Sequence, residues 1–144
     1  MNILQSTWNG KPFEYWVREL HSPENESRWA AVDALRHIGH PSHTINLFTN
    51  ALSDSYWRVR ALAAHSLYDM AHEEALVPML CQAISPLGKA LSDESPDVVL
   101  NVAYTLELLG PRASSVLSQL QNAADHADDR VRLAVSNAIS SIAG

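Results

Sequence analysis

Seven histidines and one cysteine are the residues of this chain best suited to chemistry. His37, His40 and His43 fall three residues apart, and the first two could share a face and offer ring nitrogens to a metal ion. Gly39 and Pro41 interrupt any common helix, however, and no Cys, Asp or Glu stands near enough in the sequence to complete a ligand set. The spacing therefore predicts a solvated loop rather than a metal site. Cys81 lies among Met79, Leu80 and Ile84, an apolar setting that makes a thiol a packing group and not a nucleophile. The sequence contains no glycine-rich phosphate loop, no Gly-x-Ser-x-Gly elbow and no His-Glu-x-x-His pair. We expect no catalytic residue, no metal ligand and no cofactor, so the chain reads as a non-enzyme.

Composition narrows the field further. The 144 residues are 47% apolar and 18% charged, which suits one folded domain over 1–144 and not a disordered segment. The most apolar stretch, Ala75 to Ile84, is short and broken by Pro78 and Gln82, so no membrane span is expected. The opening MNILQSTWNGKPFEYW lacks a basic start followed by an apolar run, and a single cysteine fits a reducing compartment, so a cytoplasmic setting is expected. The net charge is −6, and the basic residues are scattered apart from the pairs Arg58/Arg60 and Arg130/Arg132. A protein that grips nucleic acid by its phosphates needs a basic face, so nucleic acid is not an expected partner.

The strongest signal is internal repetition. SRWAAVDALRHIG (from Ser27), VRALAAHSLYDMA (from Val59), VVLNVAYTLELLG (from Val98) and VRLAVSNAISSIA (from Val131) align without gaps. Their period is about 33 residues, with a longer third unit. Counting the first residue as zero, offsets 3, 4, 7, 8 and 11 are small or apolar except at Asn101, which draws one stripe down a helix. A second helical pattern precedes each: Phe13–Leu20, Thr44–Leu52, Ala75–Leu91 and Ser114–Ala124. Polar turns separate the two, and Gly39, Gly110 and Gly144 close the second helices at positions that favour positive φ. Pro12, Pro41, Pro78 and Pro111 stand near the starts of the first helices. The unit is helix, turn, helix, and the expected boundaries are 12–39, 41–71, 73–110 and 111–144, with 1–11 folding back as an N-terminal cap through Ile3, Leu4 and Trp8. In the third unit Pro86 and Gly88 predict a break near Ser85–Gly88 and a short extra turn from Leu87 to Leu91.

The string LGPRASSVLSQLQNAADHADDRVRLAVSNAISSIAG, Leu109 to Gly144, resembles a HEAT repeat of the phycobilisome-lyase-like type. Its marks are the Gly-Pro start, the Val-Arg pair that opens the second helix, and the alanine-rich stripe behind it. Val59-Arg60 and Val131-Arg132 carry the pair, Ser27-Arg28 carries half of it, and Val98-Val99 loses the arginine. The resemblance runs from about residue 12 to the end. It implies an all-α, right-handed α-α superhelix of about four HEAT-like hairpins, and a binding scaffold without catalysis. A lyase-like or chaperone-like handling of a chromophore or substrate protein is the alternative it suggests. HEAT-type deoxyhypusine hydroxylases need several His-Glu pairs, and only His72-Glu73 is present. HEAT-like DNA glycosylases are longer and basic along their inner face, unlike this acidic chain.

The resemblance also implies that the second helices line the concave side. Offsets 2, 6 and 9 or 10 then face the groove: Trp29, Asp33 and Arg36; Ala61, His65, Tyr68 and Asp69; Leu100, Tyr104 and Glu107; Leu133, Asn137 and Ser140. Trp29, Asp33, Arg36, His65, Tyr68, Asp69, Tyr104 and Glu107 form the candidate site for a protein or peptide partner, because large aromatics flanked by charge make good anchors. The competing reading packs Trp29 or Tyr104 between adjacent repeats. Trp57 is expected to staple its turn against the preceding helix. Arg28, Arg60 and Arg132 recur at one position and are expected to pair with turn acids among Glu26, Asp54, Asp128 and Asp129. The last repeat carries Ser114, Ser118, Gln119, Asn122, Ser136, Asn137, Ser140 and Ser141, expected to make a polar outer face. A monomer, or a weak homo-oligomer through a terminal repeat, is expected.

Overall fold

The computed structural model describes residues 6–144. A short ribbon comes first: β1 (Thr7–Trp8) pairs antiparallel with β2 (Lys11–Pro12). Asn9 and Gly10 between them both have positive φ, 51° and 75°, the geometry that matches a tight hairpin to the twist of its strands. Trp8 lies flat on His37, ring centroids 3.9 Å apart, and its carbonyl accepts the Trp16 indole N–H at 3.2 Å. The ribbon thus rests on the first hairpin. Ile3 and Leu4 lie outside the described residues.

Helical hairpins make up the rest. α1 (Phe13–Glu19) and α2 (Asn25–Ile38) form the first, α3 (Pro41–Ala51) and α4 (Trp57–Ala71) the second. In the third, α5 (Val77–Leu80) and α6 (Ile84–Ala90) precede α7 (Pro96–Leu109). In the fourth, a 3₁₀ stretch at Gly110–Val116 leads into α8 (Leu117–Asn122), then α9 (Asp129–Ala143). The repeated stripe is the core: Ala31, Ala34, Leu35, Ala63, Leu67, Val102, Leu106, Val135 and Ala138 are fully buried. Buried hydroxyls on the stripe stay satisfied, Ser66 donating to the Leu62 carbonyl at 2.7 Å and Thr105 to that of Asn101 at 2.8 Å. α2, α4, α7 and α9 pack on one another in succession, whereas the first helices touch each other sparingly. A stack that is tight on one side and loose on the other must curve, so the second helices form the inner layer of an all-α solenoid. Among the described residues no helix is long and apolar enough to cross a membrane.

Two local expectations are corrected. The third unit breaks earlier than predicted, at the 3₁₀ turns Glu74–Leu76 and Cys81–Ala83, while Ile84–Ala90 runs as one helix through Pro86. Pro86 is the third residue of α6, where a backbone N–H has no intrahelical acceptor and its loss costs nothing. Gly110 and Gly144 have positive φ as expected, but Gly39 is extended, at φ −79° and ψ 141°. Glycine is needed there for space: a Cβ would collide with the Thr44 methyl and lie 2.6 Å from the Leu35 carbonyl oxygen.

The recurring arginines hold the turns as expected, Arg28 on Asp54 and Arg132 on Asp129, while Arg60 takes a partner outside the expected set, Asp93. Arg28 forks onto the Asp54 carboxylate at 2.9 and 3.0 Å and donates to the Ser22 carbonyl, six residues upstream, at 3.0 Å. Arg60 repeats the device with Asp93 (2.8 and 3.1 Å) and the Asp54 carbonyl (2.9 Å). Each aspartate belongs to the next unit's turn, and each also accepts the backbone N–H two residues on. Val99 breaks the series. Correspondingly, the fourth turn has His126 where the second and third have Asp54 and Asp93, its Nδ1 accepting the Asp128 N–H at 3.0 Å. Arg132 holds the His126 carbonyl at 2.8 Å and pairs with Asp129. Glu26 and Asp128 are not rungs: Glu26 accepts the Tyr56 hydroxyl at 2.9 Å, and Asp128 binds Arg130.

Candidate binding face

All eight candidate residues lie on the inner layer, and none is sealed in the core. Asp69 is exposed and the other seven are half-buried. They come from α2 (Trp29, Asp33, Arg36), α4 (His65, Tyr68, Asp69) and α7 (Tyr104, Glu107), whose stripe residues are committed to the seam. Their offsets, 2, 6 and 9 or 10, lie on the side of each helix away from the buried stripe. Trp29 and Tyr104 are half-buried, each packed against the core on one side, and Tyr104 also meets Tyr68 of the neighbouring repeat.

The row is joined across every repeat boundary it meets. Arg36 of α2 reaches Asp69 of α4 at 2.8 Å, with Asp33 at 3.8 Å on its other side. His65 Nε2 stands 3.4 Å from the same Asp69 carboxylate, and its Nδ1 stands 3.4 Å from Asn101 Oδ1 of α7. The Tyr68 and Tyr104 rings pack with centroids 5.5 Å apart at 42°, and His72 sets its ring edge to Tyr68 at 4.6 Å. Trp29 is covered differently: the Arg58 guanidinium lies 5.3 Å above its ring, with Glu26 at 3.6 Å from that guanidinium. Trp57 does not staple its turn. It is 45% exposed, because as the first residue of α4 it points outward while Tyr56 takes the inward place.

Several participants escaped the sequence reading. Asn101 had a signal, being the one stripe residue outside the small-or-apolar rule; it donates to the Asp97 carbonyl at 2.9 Å and faces His65. Arg58 and Arg130 had none, since their roles depend on neighbours in other repeats. Arg130 binds Asp128 at 2.9 Å and faces Asp97 of α7 at 3.7 Å. The Arg130 side chain and backbone N–H together hold the Asp128 carboxyl down to about 2. Leu108 and Leu133 are exposed apolar residues, Leu133 at 65%, and give the C-terminal half of the row an apolar margin. At the outer end Ser114, Ser118, Asn122, Ser136, Asn137 and Ser140 are exposed, while Gln119 and Ser141 are half-buried.

His37 is stacked on Trp8, His40 Nδ1 caps α3 by accepting the Ser42 N–H, and the Cys81 thiol donates to the Val77 carbonyl at 3.5 Å. Among the described residues no group of three or more His, Cys, Asp or Glu is placed to hold a metal ion. A groove of about 450 Å³ beside the row is lined by Arg36, Phe48, Asp69, Met70, Glu73 and Leu76.

Comparison with known proteins follows the same line. The family model for HEAT repeats matches residues 13–85. The crystal structure of an engineered protein is similar over 91% of this chain, with a TM-score of 0.74 and 20% sequence identity. This chain spans 62% of that one's length, and at such identity the likeness is one of fold. No curated protein matches the sequence.

Proposed function

The chain belongs to the HEAT-repeat family, and from that premise we propose that it is a non-catalytic scaffold that binds a protein or peptide along its concave face. One observation carries the reading: Arg36–Asp69, His65–Asn101 and Tyr68–Tyr104 join aromatic and polar side chains across the boundaries from α2 to α4 and from α4 to α7. Side chains already held by one another lose little rotamer freedom when a partner arrives, so more of the contact energy becomes affinity. Trp29, Tyr68 and Tyr104 supply the large rigid surfaces that dominate such interfaces. A cytoplasmic setting is part of the proposal, in keeping with one free cysteine.

The test begins with affinity capture on the immobilised chain and identification of the bound protein. Its dissociation constant is then measured for the wild type and for the variant Trp29→Ala/Tyr68→Ala/Tyr104→Ala. Loss of about a hundredfold or more in affinity, with the helical melt retained, is expected if two or more of these are anchors. An unchanged constant removes the groove from consideration.

A further inference from the structure

We infer that the Tyr68–Tyr104 pair, with Glu107 and Asp69 beside it, receives a cationic side chain, arginine or lysine, from an extended partner segment. The inference rests on the concave-face reading and names the chemistry of what that face takes.

The protein contains its own example of the arrangement. At the edge of the first repeat an indole face (Trp29), a carboxylate (Glu26) and a guanidinium (Arg58) meet, the cation 5.3 Å from the ring and 3.6 Å from the acid. The negative face of the ring and the carboxylate both favour the cation, and together they hold its plane over the aromatic. At the centre of the row the two rings stand with Glu107, which has no ion pair among the described residues, and with Asp69, whose exposed carboxylate already carries Arg36. Tyr68 and Tyr104 come from different repeats, touch at 5.5 Å, and keep part of each ring in solvent. Among the described residues the cation–ring contacts are Lys11 with Tyr15 and Arg58 with Trp29, and Arg130, held by Asp128, is near enough to the Tyr104 hydroxyl to interact with it electrostatically.

The charge balance of the face points the same way. Its own cations are already held: Arg36 by Asp33 and Asp69, Arg130 by Asp97 and Asp128. Asp69 is shared between Arg36 and His65 and remains exposed. The Glu107 carboxylate has no ion pair among the described residues. It stands one helical turn beyond Tyr104 on α7, at the offset that Tyr68 occupies on α4, so it flanks the ring pair. An acidic chain of net charge −6 also draws a basic segment toward this face from a distance. An acidic segment would meet Asp69 and Glu107 without a free cation to receive it.

The experiment uses three fluorescein-labelled decapeptides, alternating glycine with arginine, lysine or glutamate, titrated into the whole chain at physiological ionic strength. Tyrosine ring resonances are followed by NMR in parallel. The arginine and lysine peptides are expected to bind and to move the Tyr68 and Tyr104 resonances, and the glutamate peptide to do neither. Tyr68→Leu/Tyr104→Leu, which keeps apolar bulk and removes the ring faces, is expected to weaken arginine-peptide binding by about 5- to 30-fold. Glu107→Gln, at a site where folding is not at stake, is expected to weaken it several-fold. Equal binding of the glutamate peptide, or affinity untouched by both variants, overturns the inference. If the basic peptides fail while the captured partner still responds to the triple alanine variant, the scaffold reading stands and this one falls. If the basic peptides move the tyrosines while the captured partner ignores that variant, the reverse holds.

Discussion

Arg60 of α4 closes a fork on Asp93, the turn aspartate of the following repeat, through Nε and Nη2 at 2.8 and 3.1 Å, with both side chains only about a tenth exposed. Its third nitrogen holds the carbonyl of Asp54 in its own turn. One residue thereby fixes the hairpin it belongs to and the register of the next. Removing it leaves a shielded carboxylate without its partner, so Arg60→Ala is expected to cost about 1–3 kcal/mol in urea unfolding. Arg60→Lys, which keeps the charge and loses the fork, is expected to recover little. Arg132→Ala, at the exposed last rung, is expected to cost under about 1 kcal/mol. Equal costs at the two positions would refute the division into buried rungs and an open one.

The absence of a rung between the third and fourth repeats is a paired change, Val99 for arginine and His126 for aspartate. Val99→Arg alone is expected to destabilise, because it places a guanidinium in a fully buried site with no acid to receive it. Adding His126→Asp is expected to restore part of the loss, giving a favourable coupling of about 0.5–3 kcal/mol in a double-mutant cycle. A coupling of zero would mean the two positions are not counterparts.

The Asp128 carboxyl is held at about 2 by the Arg130 side chain and its backbone N–H. A depressed carboxyl pKa contributes stability above the ordinary value of 3.8 and loses it as pH falls through about 2. Carboxyl NMR titration of the folded chain is expected to place Asp128 well below the ordinary value of 3.8. Arg130→Ala is expected to move it back toward the ordinary value, since the side-chain hydrogen bond is the largest cause.

Gly39→Ala is expected to destabilise by about 1–3 kcal/mol, because the new methyl enters space already filled by Thr44 and the Leu35 carbonyl. Thr44→Ser in the same chain removes the colliding methyl and should return part of that loss in thermal melts. It keeps the hydroxyl that donates to the His40 carbonyl. No recovery would show that the carbonyl contact alone sets the cost.

Adjacent positions on α7 separate folding from binding. Leu106 is fully buried in the seam, and Leu106→Ala is expected to cost about 2–5 kcal/mol. Glu107→Gln, one residue on and facing the groove, is expected to change stability by no more than about 0.5 kcal/mol. Circular-dichroism melts of the two variants check both values together.

The hairpins, their order and the inward stripe were legible from residue types alone, because burial of every third or fourth side chain is written locally along each helix. The same periodicity placed Trp29, Tyr68, Tyr104 and Glu107 on the other side of the stripe, and hence on one face. What tertiary structure decided was pairing. Glu26 goes to Tyr56 and Arg58, Asp54 to Arg28 and Asp93 to Arg60, choices made among many turn acids by how far each hairpin is set from the next. Long charged side chains reach several ångströms, so small shifts between repeats exchange their partners, while a methyl on the seam has only one place to go. Trp57 outside and Pro86 inside a helix have the same origin: each depends on where a helix begins, and that was settled by packing against its neighbours.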